Sequence, residues 1–133
     1  MIEQSPPTLK HLYESVLRRY ESAPALTFDN ETLTYGDLEE DSARLASALL
    51  EHGLQPEDRV GILLSNCPEY AIADIALARA GLAKVPLNDM LSAADIEYML
   101  DNSDASALIV GPNFVETVQS VASNVPTLER IIT

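Results

Sequence analysis

The sequence predicts an α/β fold, in which helices flank a mostly parallel sheet that follows a short N-terminal β-hairpin. Residues 58–87 place an apolar run, a helical pattern and a second apolar run in immediate succession. So short a crossover favours a parallel, right-handed βαβ unit. Strands and helices keep alternating after this unit, with short links, which is typical of a parallel sheet covered by helices on its faces.

The first predicted helix begins after Pro6-Pro7-Thr8, because apolar residues then recur at helical spacing. They form one stripe, which consists of Leu9, Leu12, Tyr13, Val16, Leu17 and Tyr20. We expect this helix to end near residues 22–24. The β-prone segments 25–28 and 32–35 follow, and the polar link between them predicts a hairpin.

Thr34 and Asp37 have the spacing of a capping box, so the second helix is predicted to begin there. Glu40 is placed to pair with Arg44 one turn later, and Gly53 is a stop signal. The expected buried face consists of Leu38, Ser42, Leu45, Ala46 and Leu49.

The third helix, Pro68–Ala80, lies between the predicted strands 60–64 and 83–87. It is apolar on most sides, and a helix of this kind is normally buried on most sides. Its few polar side chains are Glu69, Asp74 and Arg79. A single 133-residue α/β layer is not expected to cover it. We therefore predict that the remainder of a longer parent chain packs on this helix, with self-association of the chain as the alternative.

Ser92 and Asp95 form a second capping box. Strand 105–110, helix 114–122 and strand 128–132 complete the predicted alternation. The chain stops directly after that last apolar run. We therefore expect residues 1–133 to be the truncated N-terminal portion of a larger domain.

Composition limits the function classes. There are 21 acidic residues against 8 basic ones, for a net charge of −13, so neither nucleic acid nor an anionic membrane is an expected partner. The evenly acidic, lysine-poor sequence suits a cell interior with concentrated salt, where charge repulsion is screened; an ordinary acidic mesophilic protein is the alternative. No signal peptide or membrane span is apparent, so a cytoplasmic location is expected.

No residue is assigned to catalysis, cofactor binding or metal binding. His11 is expected on the surface, and His52 at the end of a helix. Cys67 stands at a helix N-terminus, where a thiolate is stabilised, but we favour the interpretation that it is a small inert residue. Asn66 ends a strand on the side where open sheets bind ligands, but we favour the interpretation that its side chain bonds to the local backbone. Two acidic pairs are interpreted as solvated charges, Glu39-Glu40 and Glu57-Asp58.

The sequence offers no phosphate cradle. It has five glycines, no two of which lie closer than eight residues. Neither GxGxxG nor GxxxxGK[ST] occurs, although backbone amides need such turns to approach phosphates closely.

Several motifs in register resemble the adenylate-forming superfamily, which includes acyl-CoA synthetases, firefly luciferase and the adenylation domains of peptide synthetases. Residues 33–38, LTYGDL, resemble its (T/S)Y-x-E-L motif. Residues 58–64, DRVGILL, resemble G-D-R-V-A-I-L-L, with Glu57 in place of the glycine. Residues 66–69, NCPE, resemble N-S-P-E, and residues 77–88, LARAGLAKVPLN, resemble A-I-L-K-A-G-A-V-x-V-P-L-N. The resemblance covers roughly residues 8 to 133.

The resemblance implies an enzyme of several hundred residues that joins a carboxylate to ATP, releases pyrophosphate, and passes the acyl group to coenzyme A. ATP, Mg²⁺ and coenzyme A are therefore implied for the full-length parent. The family's phosphate loop, magnesium-linked glutamate and catalytic lysine lie beyond the segment that matches. The 133-residue chain is accordingly expected to be inactive alone and to bind none of these ligands.

Within the superfamily, Asn66 and residues 86–88 resemble acyl-CoA synthetases more than peptide-synthetase adenylation domains. The expected parent is a fatty-acid–CoA ligase. A fragment of a peptide-synthetase adenylation domain and a free-standing α/β binding or interaction module are the alternatives.

Overall fold

The computed structural model describes residues 8–133. Their elements, in chain order, are α1 (Leu9–Arg19), β1 (Pro24–Phe28), β2 (Glu31–Thr34), α2 (Tyr35–Glu51), β3 (Arg59–Leu63), α3 (Pro68–Ala80), β4 (Ala83–Pro86), α4 (Ala93–Asn102), β5 (Ala107–Val110), α5 (Val115–Val121) and β6 (Arg130–Ile132). Short 3₁₀ turns flank α5 on both sides. This order confirms the predicted α/β alternation.

Two sheets are present in this part of the chain. Strands β1 and β2 form the predicted antiparallel hairpin, and the other four strands form a parallel sheet in the order β4-β3-β5-β6. The chain runs outward from β3 to β4 and then returns past β3 to β5. Because crossovers are right-handed, this reversal requires α3 and α4 to lie on opposite faces of the sheet.

The core is accordingly divided by the sheet. On one face Ile62 packs with side chains of α2 and α3, including Leu49 and Leu77. On the other face the next residue of β3, Leu63, packs with α4 and α5, including Leu100. Successive residues of a strand point to opposite faces, so β3 supplies both halves of the core and is buried on both sides.

Both predicted helix starts are found, but only the first is a reciprocal capping box, because the Asp95 carboxylate accepts from Ser92 Oγ rather than from the Ser92 backbone N–H. Asp37 N–H donates to Thr34 Oγ1 at 3.1 Å, and Thr34 N–H donates to Asp37 Oδ2 at 2.8 Å. At α4, Asp95 N–H donates to Ser92 Oγ at 3.2 Å. Helix α3 ends at Gly81, whose φ of 74° lies in the left-handed region that favours glycine.

Helix α1 differs from its prediction in two ways. It ends at Arg19 rather than near residues 22–24, because Pro24 already belongs to β1. Of the predicted apolar stripe only Leu17 is buried, and the residues that remain exposed are Leu9, Leu12, Val16 and Tyr20. The predicted entrance at Pro6-Pro7 lies outside the described residues.

Helix α3 is covered within this chain. The expectation that a single 133-residue α/β layer would leave it uncovered was therefore wrong. Helices α1 and α2 both pack on it, and the sheet lies beneath. Its buried residues are Ala73, Ile75, Ala76, Leu77 and Ala80. Glu69 is the one residue of α3 that is exposed. Packing of a further polypeptide segment on Pro68–Ala80 remains a prediction.

Arg79 joins three helices. Its guanidinium donates to Ser42 Oγ and to the backbone carbonyl of Glu39, each at 3.0 Å, and it pairs with the Glu39 carboxylate at 3.2 Å. Glu14 of α1 lies 3.9 Å away. The prediction that Glu39 is a solvated charge was therefore wrong, whereas Glu40 pairs with Arg44 as predicted.

The C-terminal elements are shorter than predicted. Strand β4 ends at Pro86, β5 begins at Ala107 and β6 begins at Arg130. Residues beyond these bounds still bond to the sheet, since Leu87 N–H donates to Ile62 O at 3.0 Å. The predicted helix 114–122 is an α-helix only over Val115–Val121.

Glu57 occupies a left-handed backbone conformation, with φ of 72°. A residue with a Cβ costs about 1–2 kcal/mol there, which glycine avoids at a smaller entropic cost. We expect Glu57→Gly to raise the free energy of unfolding by about 0.5–1 kcal/mol, measured by urea denaturation. Glu57→Ala keeps the Cβ and should leave stability nearly unchanged. Equal effects of the two substitutions would contradict this explanation.

Candidate functional site

A cleft of about 510 Å³ lies at the carboxyl ends of β3, β5 and β6. Its walls are mostly apolar. They include Leu45 of α2, Ile72 of α3, Leu64 after β3, Ile109 of β5, Phe114 and Ile132 of β6. The connections leave β3 and β5 in opposite directions, so the cleft lies where strand order reverses. Open α/β sheets bind their ligands at this place.

Gly111 lies where the ends of β3 and β5 meet at this cleft. A Cβ at this position would lie 3.3 Å from Leu64 Cδ2 and 3.7 Å from Phe114 Cδ2. Its N–H donates to Leu63 O at 2.9 Å, which extends the pairing of β3 with β5 by one bond. An added Cβ would therefore require the Leu64 side chain to move slightly, whereas its contact with Phe114 would be an ordinary van der Waals contact.

Cys67 lies at the rim of this cleft, where it is the N-cap of α3. Burial raises the pKa of its thiol, and the hydrogen bond from the Tyr70 backbone opposes this only in part. The helix N-terminus therefore does not produce a thiolate here. This agrees with the interpretation of Cys67 as an unreactive residue.

A second, smaller cleft of about 270 Å³ lies beside the first, and Leu64 borders both. Asn66, Tyr70, Asn88 and Asp89 contribute its polar lining. Asn88 Oδ1 accepts a hydrogen bond from Met90 N–H at 2.8 Å. Asn66 is exposed, and its side chain makes none of the hydrogen bonds found within residues 8–133. Local backbone bonding, predicted for Asn66, occurs instead at Asn88.

The histidines lie away from both clefts. His11 Nδ1 is 3.0 Å from Thr8 Oγ1, and both residues are exposed at the start of α1. His52 is the C-cap of α2, as predicted. Of the other acidic pair, Asp58 accepts a hydrogen bond from Gln55 N–H at 2.8 Å in the loop before β3. These contacts join residues that are close in sequence, and they give His11, His52 and Asp58 structural roles at helix ends and in a loop.

The ionisable groups on α3 and β4 belong to a surface pair. Lys84 Nζ lies 2.8 Å from Asp74 Oδ1, and this hydrogen bond raises the pKa of Lys84. Burial raises the pKa of the nearby Tyr13 hydroxyl. The pair joins α3 to β4, and neither Lys84 nor Tyr13 lines either of the two clefts.

The large cleft does not fit a magnesium-bound triphosphate. The charged side chain among its lining residues is the carboxylate of Glu69, which repels phosphate. Across residues 8–133 there is no group of three or more His, Cys, Asp or Glu side chains placed to hold a metal ion. The apolar walls suit apolar side chains or the apolar part of a ligand.

The residues that form the cleft were not predicted from the sequence. Leu45, Ile109 and Ile132 read as ordinary core residues, and they meet only because β3, β5 and β6 are neighbours in the sheet. The usable signal was the position of strand ends, because the carboxyl ends of parallel strands share one edge.

Comparison with known proteins finds one matching family and relatives among CoA ligases and peptide synthases. The AMP-binding enzyme family matches residues 13–133. The chain is 32% identical over 127 residues to a long-chain-fatty-acid–CoA ligase of Salmonella typhimurium. The matched region covers 95% of this chain and 23% of that protein. The chain is also 35% identical over 102 residues to surfactin synthase subunit 2 of Bacillus subtilis. Here the matched region covers 77% of this chain and 3% of that protein.

A solved structure shows the same arrangement. The benzoate CoA ligase from Burkholderia xenovorans superposes with a TM-score of 0.87 at 27% identity, covering 96% of this chain and 26% of that one. The chain thus spans about a quarter or less of the proteins compared here. Within residues 8–133, no helix has both the length and the apolar character that crossing a bilayer requires.

Proposed function

The chain belongs to the AMP-binding enzyme family, and from this premise we propose that it is the N-terminal part of the large domain of an ATP-dependent acyl-CoA ligase. The observation that carries the proposal is the match to a fatty-acid–CoA ligase along 95% of the chain. The fold supports it, since a benzoate CoA ligase has the same arrangement of elements. Fatty acids are the proposed substrate class.

The proposed reaction has two steps. A fatty-acid carboxylate attacks the α-phosphorus of ATP, forming an acyl-adenylate and releasing pyrophosphate. The thiol of coenzyme A then attacks the acyl carbon, and AMP leaves as the thioester forms. Mg²⁺ is implied by the charge of the triphosphate. The large cleft does not fit a magnesium-bound triphosphate, and no step is assigned to the residues of this segment.

The role proposed for this segment is structural. It builds one parallel sheet with its helices and supports acyl and nucleotide sites that the rest of the ligase polypeptide supplies. Burial of β3 on both faces makes the sheet a rigid base for such sites. We expect the 133-residue chain alone to be inactive, and the parent ligase to be cytoplasmic.

The experiment is a substrate panel on the parent polypeptide that contains this chain. Carboxylate-dependent exchange of pyrophosphate into ATP reports the first step, and acyl-CoA formation reports the second. We expect fatty acids to support both. Exchange with amino acids, without thioester formation on coenzyme A, would contradict the proposal.

That contradicting result would favour a second candidate, an adenylation domain of a peptide synthetase. The 35% identity to a surfactin synthase subunit is the observation in its favour. A carrier-protein domain after the adenylation domain would support it further. Acyl-CoA ligase is preferred because Asn66 and residues 86–88 follow the ligase motif.

The acidic composition leads to a separate proposal, that the protein works in concentrated salt. With a net charge of −13, self-repulsion destabilises the folded chain until salt screens it. We expect the free energy of unfolding, followed by circular dichroism, to rise as KCl is raised from about 0.1 M to about 2 M. Equal stability at both concentrations would contradict a salt-adapted origin.

A further inference from the structure

The parallel sheet has two edge strands, β4 and β6. An edge strand uses alternate backbone groups to bond its one neighbour, and the remaining N–H and C=O groups point away from the sheet. Such a row of groups can be extended by another β-strand, which pairs with it through main-chain hydrogen bonds. The two edges of this sheet differ in how well they suit such pairing.

The edge at β4 suits it poorly. The N–H groups of Ala83 and Leu87 donate toward β3, at 2.9 and 3.0 Å. Because the direction of the backbone groups alternates along a strand, Lys84 and Pro86 face outward. Proline has no N–H to donate, and a lysine on an edge strand also discourages pairing. One edge of the sheet is therefore largely closed to a further strand.

The edge at β6 is open. Within residues 8–133 this strand pairs with β5 alone, so alternate N–H and C=O groups of β6 have no strand partner there. Its residues, Arg130–Ile132, include no proline, and isoleucine is a residue that favours strands. The Arg130 side chain turns toward the end of α2, since a Cβ at Gly53 would lie 3.0 Å from its Nη2. It does not block the edge.

Helix cover on one face of the sheet also ends before β6. Ile131 is the register partner of Leu108, so both side chains point to the face that α4 and α5 cover. Leu108 is fully buried, whereas Ile131 is 39% exposed. Ile132 points to the opposite face and packs with side chains of α2 and α3. The apolar surface of β6 therefore lacks cover on the α4–α5 face.

One connection would account for the open edge and for the uncovered side chain. Helices α4 and α5 lie on the same face, and both carry the chain across the sheet toward β6. A right-handed crossover that continues in this direction places its helix on that face and its strand against the outer edge of β6. The helix would cover Ile131, and the strand would pair with the backbone groups of β6.

We propose that β6 accepts a further parallel strand from the ligase polypeptide that continues after Thr133, and that the helix before this strand covers Ile131. The inference rests on the proposed function for the identity of that polypeptide. The matched region covers 23% of the fatty-acid–CoA ligase, so such a polypeptide has ample length for a crossover of about a dozen residues or more. Ile132 and Thr133 line the large cleft, so the added strand ends beside it and extends its wall.

A second copy of the chain is the less suitable occupant of this edge. Two β6 strands related by a two-fold axis would pair antiparallel, which supplies no crossover helix for the α4–α5 face. The pairing would also bring together two chains that each have a net charge of −13, and like charges repel.

The first measurement is hydrogen–deuterium exchange of the unmodified parent polypeptide, resolved to single amides by mass spectrometry. We expect every amide of Arg130–Ile132 to exchange at least about a hundredfold more slowly than an unstructured amide, because both sides of β6 are then paired. The outward-facing Lys84 amide on β4 is the matched reference and should be protected less than about tenfold. Fast exchange of alternate amides in β6, as on an edge strand, would overturn the proposal.

The second measurement tests the helix cover by thiol accessibility. In a Cys67→Ser background of the parent, Ile131→Cys is compared with Ala83→Cys, whose residue is exposed on β4 and points to the same face. Each rate of maleimide labelling is divided by the rate for the same variant in urea. We expect Ile131→Cys to be protected at least about tenfold more than Ala83→Cys. Similar protection of the two thiols would overturn the proposal.

Dilution separates the two occupants. Protection of β6 that is lost when the parent is diluted would overturn the proposal and would indicate a second copy. Acyl-CoA formation from fatty acids is assayed on the same sample. A parent that protects β6 at all dilutions without this activity would support the strand pairing and contradict the proposed function, so the two failures are distinguishable.

Discussion

Replacing Arg79 with alanine is expected to lower the free energy of unfolding by about 3 kcal/mol. The side chain is 10% exposed and joins α3 to α1 and α2 through Glu14, Glu39 and Ser42. Removing it leaves the Glu39 carboxylate without its partner and leaves Ser42, which is fully buried, with one hydrogen bond fewer. Breaking such a pair by removing one partner costs more than the pair contributes, because the remaining charge stays partly buried.

The measurement is urea denaturation of the 133-residue chain followed by circular dichroism. Arg44→Ala is the matched control, because Arg44 pairs with Glu40 at the surface and its side chain is 70% exposed. Surface pairs of this kind contribute about 0–1 kcal/mol. Similar losses for the two variants would show that Arg79 does not hold the helices together.

Leu63→Ala is expected to cost about 3 kcal/mol, within the range measured for leucine truncation in protein cores. Leu63 is fully buried in the centre of the sheet and packs with Leu100 and Leu108 on the face that α4 and α5 cover. Truncation leaves a cavity that the rigid β3 strand cannot close. The loss is therefore greater than the transfer free energy of the missing atoms alone.

Leu50→Ala serves as the comparison, since Leu50 is 45% exposed near the end of α2. We expect it to cost less than about 1 kcal/mol, because little apolar surface leaves water there. Chemical denaturation of both variants gives the difference. A loss below about 1 kcal/mol for Leu63→Ala would contradict the two-faced core.

Local signals in the sequence predicted the order and type of the elements and the first residues of several helices. Thr34 with Asp37 and Ser92 with Asp95 specify helix starts through bonds to residues three positions away, so no tertiary information is needed. The positive φ of Gly53, the predicted stop signal of the second helix, is likewise a property of one residue. Alternation of apolar runs then implied a parallel sheet, and the pairing of β3 with β4 and β5 confirms it.

Features that depend on distant residues were missed. The stripe on α1 shows helical periodicity, but periodicity cannot distinguish a face that is covered in this chain from one that is not. Arg79 meets Glu39 across 40 residues of sequence, and no local pattern indicates this pair. The cleft depends on strand order, which the sequence did not determine. The packing of α1 and α2 on α3 also depends on distant residues, which is why α3 was expected to be uncovered.

The central claim is that this segment is a structural scaffold that has no nucleotide-binding site of its own. Its most direct test is calorimetric titration of the 133-residue chain with ATP and Mg²⁺. We predict no saturable binding at ATP concentrations up to about 1 mM, the upper end of typical enzyme KM values, because no cation lines the large cleft. Tight, magnesium-dependent binding would contradict the claim and would identify the chain as a nucleotide-binding module in its own right.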